Sequence, residues 1–141
     1  MDSEMKRMIM LDNYENPFNK GLIDDDSYDK FNTNNSSCID NIDIMIKMNK
    51  DTIEDAHFDG EACVICTSST SILMKMIIGK SKNEVLTIID NFKKMINEEE
   101  YDEEILKEAN VYNEIYKQPS RKNCALQTWL GLEKYLKNKE Q

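Results

Sequence analysis

The chain has 141 residues, of which 40% are hydrophobic and 32% charged, enough for one domain with its own apolar core. Its 18 Lys and Arg stand against 27 Asp and Glu, a formal net charge of −9. That balance argues against general binding to nucleic acid or to anionic membranes and suits a basic protein partner. No apolar run approaches the roughly 20 residues of a membrane span, and the opening MDSEMKRMIMLDNYENP is too polar for a signal peptide. The expected location is therefore the cytoplasm, where thiols stay reduced.

Residues 3 to 15 read as a helix with Met5, Met8, Ile9 and Leu11 on its apolar face. NPFNKG, residues 16 to 21, breaks it with a Pro, a Gly and two Asn. The polar stretch DDDSYDKFNTNNSS follows, with room for a short edge strand near Tyr28–Phe31 and then a loop. In NIDIMIKM, residues 41 to 48, Ile42, Ile44, Ile46 and Met48 alternate with their neighbours, the period of a strand. NKD turns the chain and TIEDAHF, 52 to 58, returns as the second strand of an antiparallel hairpin. Residues 64 to 78 read as a helix closed by Gly79. SKNE, 81 to 84, is a capping box, and Val85, Ile88, Ile89, Phe92 and Ile96 make 82 to 97 an amphipathic helix. The acidic run 97 to 109 reads as a solvated face or connector. The last segment, about 120 to 137, carries Ala125, Trp129, Leu132 and Leu136 on one face. Together these predict a single α+β domain over residues 1–141: a small antiparallel three-stranded sheet with helices packed on one face.

The chemistry lies in four cysteines, which in a reducing compartment read as metal ligands or reactive thiols rather than a disulfide framework. Cys63 and Cys66, in DGEACVICTSSTS, make a C-x-x-C. By itself this pattern fits a redox dithiol, half of a zinc knuckle, or one functional thiol beside a bystander. Cys38 precedes the first clear strand, Cys63 lies between a strand and a helix, and Cys124 lies near the start of the last helix. All three are at element ends, where loops converge; Cys66 falls inside the first turn of its helix. Asp40 is two residues from Cys38. Three thiolates and a carboxylate would complete a tetrahedral zinc site, although local spacing alone does not establish one. The small run Thr67, Ser68, Ser69, Thr70, Ser71 lets the helix behind Cys63 approach other backbone closely.

Several separate stretches, in order, resemble the IscU/NifU-like iron–sulfur assembly family, and within it the SufU type. IMLDNYENPFNKGLI is similar to the opening helix and N-P-x-N-x-G turn; SSCID resembles the C-G-D loop. IEDAHFDGEACVICTSSTSILMKMIIGK resembles the central motif ending in G-K, and PSRKNCALQTW the R-x-x-C-A-x-x-x-W segment. Asn123 stands where IscU scaffolds carry a His before the third cysteine, and the segment from Lys80 to Cys124 is long, as in the SufU type. Ile39 and Ala62 stand where the family has glycines.

The resemblance implies a SufE/NifU-like fold and a zinc-dependent sulfur carrier. Its zinc ligands would be Cys38, Asp40, Cys63 and Cys124. Cys38 would accept persulfide sulfur from a SufS-type cysteine desulfurase and pass it towards a SufBCD-type assembly complex. A His of the desulfurase would replace Cys38 on zinc, freeing its thiolate. Arg121 would help steer or pair with the partner, and Cys66 would be a buried bystander. The alternative is an IscU-like scaffold building a [2Fe–2S] cluster on the three cysteines; a purely structural zinc domain is a third reading. A thioredoxin-like dithiol enzyme is disfavoured, because its C-x-x-C opens a helix within parallel βαβ structure. His57, the single histidine, reads as an exposed or half-buried strand residue, Trp129 as core, and DDDSYD as a solvated loop without the spacing of a calcium site.

Overall fold

The computed structural model describes residues 1–34 and 40–139. It opens with α1 (Ser3–Glu15), whose first turn is capped by the Asp2 carboxylate accepting from the Met5 N–H. Three strands follow, β1 (Asp29–Asn32), β2 (Asn41–Asn49) and β3 (Thr52–Glu61), in the order β1-β2-β3 with both pairings antiparallel. Then come α2 (Val64–Ile77), α3 (Lys82–Ile96), the single turn α4 (Glu103–Leu106), two 3-10 turns and α5 (Pro119–Asn138). No helix among the described residues is long and apolar enough to cross a membrane.

The expected α+β architecture is what forms. Ile42, Ile44 and Ile46 of β2, with Ile53, Ala56 and Phe58 of β3, give the sheet one fully buried face, and the helices cover it. Alternation is not strict, because Met45 on the opposite face is also buried. Leu22, Ile23 and Tyr28 of the segment after α1 border it there, around a cavity of about 330 Å³. That segment has a second job. The Phe58 N–H donates to the Asn19 carbonyl and the Gly21 N–H to the Phe58 carbonyl, so part of the free edge of β3 is paired. β3 also runs to Glu61, three residues past its sequence-based end.

α2 is the central helix, buried from Cys66 to Met74. Its run of hydroxyls is satisfied inside the core. Ser69 Oγ donates to the Ala125 carbonyl at 2.8 Å and accepts from Trp129 Nε1 at 2.8 Å. Thr70 Oγ1 lies 2.9 Å from Thr128 Oγ1, and Ser71 Oγ is 2.7 Å from Asn13 Oδ1. Small side chains let α1 and α5 approach closely, and hydrogen bonds fill the contact that apolar packing would otherwise make. Trp129 stacks on Phe92 at 3.7 Å between centroids, joining α5 to α3. Both capping-box bonds of α3 form, between Ser81 and Glu84.

The acidic run is only partly a solvated connector. Glu98, Glu99 and Glu100 are exposed, but Leu106 and Ala109 within the run turn inward to the core, as do Val111 and Tyr112 just after it. Burial raises the Tyr112 phenol above its ordinary value, and its hydroxyl shares a hydrogen bond of 2.5 Å with Ser68 Oγ.

Candidate metal centre

The end of β3 and the start of β2 pair residue by residue: Ile42 opposite Gly60, Asn41 opposite Glu61. Gly60 has φ +139, and a Cβ there would collide with the Asn41 carbonyl. Only glycine lets the strands close so tightly at this end. The next residues outward are Asp40 on one strand and Ala62 and Cys63 on the other, so the register delivers them to one place.

Cys63 is the N-cap of α2, with extended backbone and its Sγ accepting from the Cys66 N–H at 3.4 Å. Its own N–H donates to Asp40 Oδ1 at 2.9 Å. The Asp40 carboxylate thus sits at the amino end of α2, where the helix dipole favours negative charge. Cys124 is on the second turn of α5, half-buried, with its Sγ 4.0 Å from the Ser120 carbonyl. Asp40, Cys63 and Cys124 each offer one donor atom, and the three atoms lie within 4.8 Å of one another. A tetrahedral zinc with bonds of about 2.0–2.3 Å sets its donors roughly 3.5–3.8 Å apart. Small side-chain adjustments span the difference. Two thiols and a carboxylate are a donor set that suits zinc.

Cys38 lies outside the described residues, as does Ile39. Arg121 is exposed on the first turn of α5, three residues before Cys124 and so towards the same side of the helix. Cys66 is fully buried in the core and is not among the three grouped residues. His57 is elsewhere: half-buried on β3, its Nε2 is 2.8 Å from Asp55 Oδ2, and Tyr28 Oη donates to the same oxygen. That hydrogen bond pushes the Tyr28 phenol up to about 12.

Two contacts with α5 escaped the sequence reading. Gln127, 1% exposed, donates from Nε2 to the main-chain carbonyl of Asp40 at 2.9 Å. Four residues on, Gly131 faces Thr33, and a Cβ there would come within 2.6 Å of the Thr33 methyl. Thr33 is held in turn by its N–H and hydroxyl, both donating to the Ile42 carbonyl. Cys124, Gln127 and Gly131 follow helical spacing, so one side of α5 meets Asp40 and Thr33 as well as the candidate centre. The available signal was a polar Gln at a core position of α5, between Ala125 and Trp129.

A family model for the NifU-like N-terminal domain matches residues 5–125. The zinc-dependent sulfurtransferase SufU of Bacillus subtilis (strain 168) is 35% identical over 135 residues, 95% of this chain and 90% of that one. The iron–sulfur cluster assembly scaffold protein IscU of Streptococcus pyogenes serotype M1 is 32% identical over 92% of this chain and 80% of its own. Among solved structures, a protein of Fervidobacterium islandicum AW-1, proposed as an iron–sulfur cluster assembly scaffold for the SUF system, superposes with a TM-score of 0.79. It is 27% identical, over 94% of this chain and 97% of the other.

Proposed function

The chain belongs to the family of NifU-like N-terminal domains, and on that premise we propose that it is a zinc-dependent sulfurtransferase of iron–sulfur cluster assembly. It takes persulfide sulfur from a SufS-type cysteine desulfurase in the cytoplasm and hands it to a SufBCD-type assembly complex. The observation that carries this reading is the convergence of Asp40, Cys63 and Cys124 within 4.8 Å, with Cys38 only two residues along the chain from Asp40.

In this reading Cys38, Asp40, Cys63 and Cys124 would hold zinc, which would supply the charge that keeps the thiols deprotonated. The residues of the chain then have distinct tasks. The Cys38 thiolate attacks the outer sulfur of the desulfurase persulfide. A new S–S bond forms on Cys38, the old one breaks, and the desulfurase cysteine leaves as thiolate, with no net oxidation. The Cys66 N–H supports the Cys63 sulfur, and the Cys63 N–H orients the Asp40 carboxylate. Arg121, exposed beside Cys124, offers a cation to acidic groups of the partner.

The test is alanine release from cysteine by the desulfurase in iron-free buffer. Zinc-loaded wild type is expected to stimulate turnover at least about tenfold, roughly 1.4 kcal/mol of barrier, and Cys38→Ala not at all. Equal stimulation by Cys38→Ala removes Cys38 as acceptor. The scaffold reading draws on the names of two relatives; Asn123, where IscU scaffolds carry His, weighs against it. It predicts instead a stable visible chromophore after anaerobic supply of iron and sulfide.

A further inference from the structure

We infer that Gln127 is a positioning residue for the metal centre, holding Asp40 in place from behind; the metal part of this inference rests on the zinc reading above. Asp40 is gripped at two atoms. Its side-chain Oδ1 accepts from the Cys63 N–H at 2.9 Å, and its main-chain carbonyl accepts from Gln127 Nε2 at 2.9 Å. The first bond ties it to the start of α2, the second to α5, the helix that carries Cys124. Gln127 is therefore a link by which the two ligand-bearing helices share control of Asp40.

Core packing does not account for a glutamine at this place. Its neighbours along α5, Ala125, Thr128 and Trp129, are buried, and Gln127 itself is 1% exposed. Among the described residues its Oε1 is buried without a hydrogen-bond partner. An unsatisfied buried acceptor costs free energy that an apolar side chain of the same length avoids. The amide is half satisfied, and the satisfied half is the one that reaches Asp40. A side chain selected for packing alone would be Leu or Met.

The placing has a direct consequence for the donor set. Asp40 is the first residue after the segment bearing Cys38 and the last before β2. Without the Gln127 bond, its main chain loses an anchor to α5, and the Oδ1 bond to Cys63 carries more of the restraint on the carboxylate. The carboxylate then samples orientations that do not face the two thiols, and a ligand that must be ordered on binding contributes less affinity.

Gln127→Met keeps length and volume while deleting both amide atoms. Two measurements on it decide the matter. In metal-free protein, amide exchange of Cys63 is expected to accelerate about tenfold relative to wild type, because its acceptor is no longer anchored. Zinc affinity, measured by competition with a chromophoric chelator, is expected to fall about tenfold, while the thermal midpoint of the metal-free protein holds or rises. Gln127→Glu, which turns lone pairs towards the Asp40 carbonyl, is expected to lose at least as much affinity. Unchanged Cys63 exchange together with unchanged zinc affinity in Gln127→Met overturns the inference and leaves the zinc reading intact. A Gln127→Met protein that fails to fold also overturns it, since the role is then one of core structure. Zinc uptake absent in wild type, with Cys63 exchange still accelerated in the variant, overturns the zinc reading and sustains the placing of Asp40 by Gln127.

Discussion

Cys124→Ala is expected to lower zinc affinity by about 100-fold, while shifting the thermal midpoint of the metal-free protein by less than about 2 °C. The binding energy of a four-ligand structural zinc is about 10–16 kcal/mol, so one ligand accounts for roughly 3 kcal/mol, and each 1.4 kcal/mol is tenfold. The fold has little at stake, because Cys124 is only half-buried and alanine is a good helix former. Cys66→Ala is the matching control and is expected to do the reverse. Its side chain, on the first turn of α2, is fully buried in the core, so the substitution costs about 1 kcal/mol of stability with zinc affinity unchanged. Chelator competition and thermal unfolding of the two variants separate a ligand, Cys124, from the buried bystander of the C-x-x-C, Cys66. Affinity within threefold of wild type for Cys124→Ala would remove that cysteine from the ligand set.

The second large effect is expected at Gly60. Gly60→Ala places a methyl group against the Asn41 carbonyl at a backbone angle of φ +139, which costs about 2–3 kcal/mol through strain and forced separation of the strands. Urea unfolding should show the midpoint falling with its slope unchanged. Zinc affinity should fall as well, since Asn41 opens β2 and follows Asp40 directly; prising the strand ends apart moves the carboxylate away from the Cys63 N–H. A variant as stable as wild type would refute the close-approach argument.

Periodicity made the elements legible. Ile42, Ile44 and Ile46 announced β2, the Ser81–Glu84 box announced α3, and Ala125, Trp129, Leu132 and Leu136 announced the inner face of α5. These are local patterns that burial enforces. Less legible was anything decided by a distant partner. Met45 breaks the alternation because the segment after α1 folds over it. The run 97 to 109 reads as connector because its acidic residues outnumber the few apolar ones, Leu106 and Ala109, that anchor it. At the candidate centre, Asp40, Cys63 and Cys124 could be nominated from their positions at element ends and from family motifs. Gln127 and Gly131 could not, because their meaning depends on which backbone lies opposite: the Asp40 carbonyl in one case, Thr33 in the other.

The three grouped donors come from the residue before β2, the N-cap of α2 and the second turn of α5, far apart along the chain. An ion held among them acts topologically as a cross-link, closing a loop of about 60 residues between Cys63 and Cys124. Joining such distant points restricts the unfolded chain much as a disulfide does, by an amount that grows only slowly with loop length. Everything from α2 to the first turns of α5 lies inside that loop, the acidic run included. Loss of the ion would then be felt across the whole second half of the molecule, in regions that never touch it.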